Sequence, residues 1–215
     1  IGDIITNGSN VGIVTAIANS SEFTATTNAG SLLDTQGTTT ITLVRKKRSA
    51  FEEPSSHMMG VLTVALSAPS TVSGTNSHFT KQLHVGDIIT VNDGTGNVRR
   101  KVTAITNDTT LTVDQPYLLA FSDKTYSREW EFRSDFEKEP LTSDYAFKTT
   151  GSKNVNDEVH VILVDENGDW TGTKDVRGAP RVISKSVLET FPALSVANGA
   201  ISSTGESLFY KDYIN

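Results

Sequence analysis

The chain is 215 residues long, only 36% of them hydrophobic, with a formal net charge of −6 and no cysteine. Such a length holds one or two domains; the acidic balance excludes direct nucleic-acid binding, which needs clustered Lys and Arg to displace phosphate counterions, and the missing thiols exclude a disulfide framework, a thiolate zinc site and a cysteine nucleophile. No stretch approaches the roughly 18–20 consecutive apolar residues of a membrane span, so no membrane insertion is expected.

The apolar residues arrive in short bursts between Gly, Asn, Asp and Thr, which predicts many short strands and an overall β-rich chain. The opening Ile1-Gly2-Asp3-Ile4-Ile5-Thr6 reads as the middle of a turn and strand, and with the abrupt end at Asn215 it suggests a piece of a longer protein. That opening recurs as Val85-Gly86-Asp87-Ile88-Ile89-Thr90. Likewise Val14-Thr15-Ala16-Ile17 recurs as Val102-Thr103-Ala104-Ile105, the second copy carrying four more residues between the blocks (Ile1 to Val14 against Val85 to Val102). Phe23-Thr24-Ala25-Thr26 then matches Leu111-Thr112-Val113-Asp114, and Ser49–Pro54 matches Ser134–Pro140. A duplicated β module over residues 1–139 follows, with copies at about 1–54 and 60–140.

Each copy reads as a meander. Gly-Asp makes a tight turn, an alternating Ile-Ile-Thr-Val strand follows, and Asn92–Asn97 supplies turn residues tolerant of positive φ. Strand 98–105 returns, Asn107-Asp108 turns the chain, and Thr109–Val113 gives a third strand. In the second copy, 60–66 and a turn-rich 67–84 precede the shared block. Period-two alternation over Tyr126–Phe132 predicts a half-buried strand with Tyr126, Arg128, Trp130 and Phe132 on one side.

Around Pro140 the texture changes, and a domain boundary is expected there. Thr142 or Ser143 offers a helix start, and Tyr145–Thr150 a short helix ended by Gly151. Asp157–Val164 is an almost continuous β-branched run, the pattern of a central strand covered on both faces. Asp165–Asp169 turns it, Trp170–Thr173 begins a returning strand, and Val187–Leu194 forms a further one.

Residues 140–215 resemble the contractile tail sheath family of myophages. The resemblance is carried by Pro140-Leu141-Thr142-Ser143-Asp144-Tyr145-Ala146, then Asn156–Gly168, then Trp170–Thr173, Val187–Phe191, Leu194-Ser195 and Ser207–Asn215, in that order. Lys174–Ser186 departs from it, being longer than the expected short turn. The resemblance implies a mainly β repeat region at 1–139, inserted and projecting from the tail, followed by a partial sheath-like α+β domain at 140–215. It also implies a structural, non-enzymatic role. The subunit would polymerise with copies of itself in a helical, hexameric sheath around the tail tube protein, between baseplate and tail-terminator proteins. Its place would be the virion tail sheath, assembled in the host cytoplasm, and its contraction would drive tube penetration and genome delivery. Such lattices are stitched by terminal arms that add strands to neighbouring subunits. The alternative reading is a tail-surface or baseplate β module that binds host-surface glycans.

Side-chain chemistry is sparse. Asp165, Asn167 and Asp169 share the opening spacing of an EF-hand loop, but its twelfth position would be Val176 and its flanks read as strands, so a metal-free Asn167-Gly168 hairpin is expected. His57, His78, His84 and His160 form no ligand pair, and His160, inside an apolar strand, reads as a hydrogen-bonded core or interface imidazole. Glu52-Glu53, Asp157-Glu158 and Asp165-Glu166 nominally offer paired carboxylates, yet they sit at strand and turn margins where solvated acids are ordinary. Arg45–Arg48 reads as a charged strand end that discourages edge pairing. Gly94-Thr95-Gly96 is too short for a phosphate loop. No catalytic, cofactor-binding or metal-ligating residue is assigned, and no cofactor is expected.

Overall fold

Strands form wherever the sequence alternates between Gly, Asn and Asp punctuation. A computed structural model describes residues 3–7, 10–19, 22–27, 42–45, 51–153, 155–171 and 186–214. Lys46–Arg48 of the basic run and most of the Lys174–Ser186 insertion lie outside these. The chain divides into two units, Ile1–Arg133 and Ser134–Asn215, so the division falls ahead of Pro140. Strands dominate over helices, and the principal sheet is antiparallel.

In the first unit, β1 (Ile4–Asn7), β2 (Asn10–Asn19), β3 (Glu22–Thr27) and β4 (Thr42–Arg45) form one antiparallel sheet in the order β3-β2-β1-β4. A second sheet contains β5 (Glu52–Glu53), β6 (Val61–Val64), β7 (Thr71–Thr75), β8 (Ile88–Asn92), β9 (Asn97–Asn107), β10 (Thr110–Val113), β11 (Phe121–Lys124) and β12 (Tyr126–Glu129). Its order is β11-β6-β7-β10-β9-β8-β12-β5. Since β11 pairs with β6 and the next strand β12 pairs with β8, one stretch links β6 to β8 around the order, with β5 paired outside that closure. The sheet therefore closes into a barrel, bent at Asp123, whose φ is 54°.

The meander β1-β2-β3 and the meander β8-β9-β10 are paired alike. Ile4 faces Ile13 and Ile5 faces Gly12, just as Ile88 faces Lys101 and Ile89 faces Arg100. Bulges interrupt β2 between Val14 and Ala16 and between Ile17 and Asn19, and their counterparts fall opposite Val102/Ala104 and Ile105/Asn107 in β9. The Val14 N–H donates to the Asp3 carbonyl at 2.9 Å, and the Val102 N–H to the Asp87 carbonyl at 2.8 Å. Thr15 Oγ1 donates to the Thr24 carbonyl as Thr103 Oγ1 does to Thr112. The extra residues of the second meander lengthen its first hairpin, adding the pair Asn92–Asn97 around the loop Asp93–Gly96.

Burial separates them. The barrel packs Leu62, Val72, Phe79, Ile89, Val102, Leu111, Tyr117 and Tyr126 into one core, and each such side chain contributes about 1.5–3 kcal/mol by leaving water. The turn-rich 67–84 of the sequence in fact holds β7 and a helical turn, α1 (Phe79–Gln82), which delivers Phe79 to that core. In the first meander, Ile5 and Val14 pack with Ala25. Its cross-strand pair Ile17 and Phe23 is 59% and 44% exposed, whereas Leu111, the counterpart of Phe23, is fully buried.

The strand expected over Tyr126–Phe132 stops at Glu129; Trp130 and Phe132 follow in a turn, edge to face at 5.4 Å. Alternation within β12 holds, with Tyr126 and Arg128 inward.

In the second unit, α2 (Asp144–Thr150) begins at Ser143, whose side chain accepts from the Ala146 N–H, and ends at Gly151 in the left-handed region at φ 70°. That pairing of an N-cap serine with a C-terminal glycine satisfies backbone groups a short helix cannot satisfy itself. β13 (Glu158–Asp165) pairs antiparallel with β14 (Ser186–Ser195) as a two-stranded ribbon, and α3 (Tyr210–Tyr213) follows. Two expectations are corrected here. The Asp157–Val164 run is no covered central strand: most of β13 is half-buried and Leu163 is 49% exposed. The strand paired with β13 is Ser186–Ser195, and Trp170 stands 85% exposed outside any strand, while Gly172 and Thr173 of the expected returning strand lie outside the described residues. An apolar, β-branched run is the shared signature of a central strand and of a ribbon with lightly covered faces, which is why the pattern misled.

Candidate functional site

The buried charged side chains among the described residues gather at three places, one in the barrel and two at the ends of β13. In the barrel, Arg128 lies between two buried carboxylates: its guanidinium is 3.4 Å from Asp87 Oδ2 and 4.0 Å from Glu53 Oε2. Strand pairing puts it there, since Arg128 is opposite Ile89 in β8 and opposite Glu53 in β5. His57 Nδ1 meets Glu53 at 2.8 Å, and the Asp87 carboxylate accepts the His84 N–H at 2.8 Å, closing the Gly-Asp turn. Gly86 occupies that turn at φ 101°, where only glycine is relaxed. Burial pushes the Asp87 carboxyl above its ordinary value, against the lowering effect of Arg128.

At the start of β13, Asp157 is a structural knot. Its carboxylate accepts the Ser143 N–H at 2.8 Å, Ser143 Oγ at 2.6 Å and Ser195 Oγ at 2.5 Å, so it ties the α2 N-cap to the end of β14. Burial alone would raise this carboxyl, but the serine hydrogen bonds outweigh it and hold it below its ordinary value.

At the other end, Asp165 accepts from the backbone of Asp169, Trp170 and Thr171 and from Thr171 Oγ1. The Thr171 N–H is the largest influence in taking the carboxyl down to about 2. Asp165 therefore folds the loop on itself with Gly168 at φ 77°; its oxygens face backbone donors, the opposite of a calcium ligand's environment. No cluster of three or more metal-ligating side chains occurs among the described residues.

The histidines are scattered: His57 on Glu53, His78 3.6 Å from Asp108, His84 beside Asp87, and His160 in β13. His160 is hydrogen-bonded at both ring nitrogens, to Lys138 and Ala193. The acidic pairs are likewise separated in role. Glu52 binds Arg133 at 2.8 Å, Glu53 turns inward to Arg128, and Glu158 Oε2 accepts the Leu141 N–H. Gly94-Thr95-Gly96 lies in the β8–β9 hairpin loop, held by Asn92 and Asp93 accepting the Gly94 and Thr95 N–H groups. The second unit also has an open cleft of about 710 Å³ lined by Lys138, Tyr145, Lys148, Glu158, Ile201 and Leu208 among others, with acids and bases both on its wall.

The Arg128 network is the feature that sequence reasoning missed. A period-two pattern marks Arg128 as inward, but its partners lie 41 and 75 positions away (128 − 87 and 128 − 53); only an inward charge on an apolar face hinted at them. No helix among the described residues is long and apolar enough to cross a membrane. Comparison with known proteins finds no matching family model, no matching curated protein and no matching solved structure.

Proposed function

We propose that this chain is a structural, non-enzymatic part of a contractile tail sheath subunit of a myophage. Residues 140–215 are its sheath-like α+β domain, and residues 1–139 are a duplicated β module projecting from the tail. The observation that carries the reading is the run of linked sequence segments from Pro140 to Asn215, in the family's order. The like pairing of the two meanders supports the duplication, down to their bulges.

The ribbon β13-β14 supports the assembly role. Among the described residues it has two strands, apolar side chains such as Leu163, Val187 and Leu188 are substantially exposed, and a bridge from Ser195 to Phe209 already adds extended backbone beside β14. Such a ribbon accepts strands from a neighbouring copy, and main-chain hydrogen bonds then stitch the lattice. The partners are other copies in stacked hexameric rings, the tail tube, the baseplate and the tail terminator. Contraction would exchange one packing of rigid subunits for another, with no bond chemistry. Trp130, whose exposure would favour a glycan platform, is half-buried against Phe132.

Gel filtration with light scattering tests the proposal. The 215-residue chain is expected to be monomeric, and the protein from the full gene to form large polymers. Specific binding of a host-surface glycan by the β module, with no polymer from the full gene product, would replace the sheath reading by the surface-module one.

A further inference from the structure

Between Val159 and Val161 the ribbon loses register: Val159 faces Leu194 while Val161 faces Phe191, leaving Pro192 and Ala193 opposite His160. Pro192 has no N–H to offer the ladder. Ala193 is in the left-handed region at φ 53°, a conformation that costs a non-glycine residue strain. Its N–H donates instead to His160 Nδ1 at 3.0 Å, so the imidazole takes the place of the missing ladder acceptor. The other ring nitrogen, Nε2, lies 2.6 Å from the Lys138 carbonyl. The ring is stacked on Phe136 at 4.2 Å and 4°. One side chain thus fastens three things: the bulge of β14, its own strand, and the segment Phe136–Lys138 that precedes α2 within the second unit.

A backbone N–H only donates and a carbonyl only accepts. Both contacts together are satisfied by one state of the ring, the neutral tautomer with its proton on Nε2. A second proton would enter Nδ1 and set an N–H against the N–H of Ala193. We propose that His160 is an acid-sensitive clip, which holds the β14 bulge and the Phe136–Lys138 segment in the neutral state and releases the bulge when the ring is protonated. The inference is independent of the sheath reading, since it concerns only contacts inside the second unit.

The charged residues that line one cleft with Ala193 are Lys138 and Glu139 on the incoming segment, Asp144 and Lys148 on α2, and Glu158 on β13. β14 carries a single charged residue, Glu189, which faces Leu163 farther along. None of them replaces the Ala193 contact, which exists only with Nδ1 unprotonated.

Nuclear magnetic resonance of the 215-residue chain tests the clip. In the neutral ring the nitrogens are expected to report the Nε2–H tautomer, and as the pH is lowered until the ring's own nitrogen shifts show it charged, the exchange protection of the Ala193 amide, corrected for its intrinsic pH dependence, should fall. The expected drop is about five- to tenfold, the worth of one hydrogen bond. His160→Asn keeps an acceptor near the Nδ1 position without a titrating proton, so its Ala193 protection should stay flat over the same range. A wild-type ring with its proton on Nδ1 would overturn the proposal without any variant. So would Ala193 protection that ignores the ring's titration, or that falls equally in His160→Asn.

Discussion

The meanders 4–27 and 88–113 have like pairing and unlike burial. Each carries the same hairpin register, the same two bulges and the same threonine-to-carbonyl bond between its second and third strands. Yet the Leu111 position is sealed while Phe23 is 44% exposed. The second meander is covered because β6, β7 and α1 bring Leu62, Val72 and Phe79 over it. Asp108 fastens that cover: its carbonyl accepts the Phe79 N–H and Ser77 Oγ, and its carboxylate accepts the Thr80 N–H. The corresponding position of the first meander is Ser20, which has no carboxylate. Strand pairing is thus a local property of the repeated pattern, while the energy of burial depends on what the rest of the chain lays on top.

The largest test of this difference is truncation in the paired positions. Leu111→Ala should cost about 3–5 kcal/mol, since a fully buried leucine leaves both a transfer loss and a cavity. Phe23→Ala should cost less than about 1 kcal/mol, in the range of surface substitutions. Urea denaturation of both variants measures this, and equal losses would mean that the first meander is as well covered as the second.

The sequence made the meanders legible because register needs only alternation and turns: Gly-Asp, Asn107-Asp108 and the Val-Thr-Ala-Ile block announce strand and turn within a dozen residues, though not the bulges. The α2 helix was legible for a similar reason, through Ser143 and Gly151 at its ends. What was not legible was long-range. The barrel closure depends on β11 and β12 pairing with strands far apart in the chain, and the Arg128 network on carboxylates from other strands. Nor did the apolar run at 157–164 reveal that its ladder partner among the described residues is β14 alone, because periodicity records a side chain's environment without saying which element supplies it. Of the candidate site residues, His160 was read as a hydrogen-bonded imidazole, but its partners Lys138 and Ala193 could not be read from its strand.

The buried carboxylates offer a second contrast. Asp87→Ala should cost about 3 kcal/mol, because it removes one of the two carboxylates beside the buried Arg128. Acid sharpens the point, since a raised carboxyl and a lowered one respond oppositely. The Asp87 carboxyl is raised, so its contribution is fully present below the ordinary value of 3.8 and declines as pH rises through its folded value. Asp157 and Asp165 are lowered, so what they add to the second unit is present above 3.8 and is lost as pH falls, for Asp165 down to about 2. Amide exchange at pH 5 and pH 3 should therefore show Trp170 and Thr171 losing protection while Val102, bonded to the Asp87 carbonyl, keeps it.

The smallest effect should also be the most symmetrical. Thr15→Val and Thr103→Val each delete one hydroxyl-to-carbonyl bond at a partly solvated site, worth about 0.5–1 kcal/mol. Where the two meanders share geometry they should share energetics, and a difference greater than about 1 kcal/mol would show that the shared pairing hides unlike strands.

The proposed mechanical role is most directly tested by electron microscopy of the purified protein from the full gene. Striated tubes of stacked rings are the expected result, with two-strand ribbons paired to extended segments of neighbouring subunits when the tubes are reconstructed. Dispersed single particles at every protein concentration and salt condition, with the β13-β14 ribbon unpaired, would contradict it.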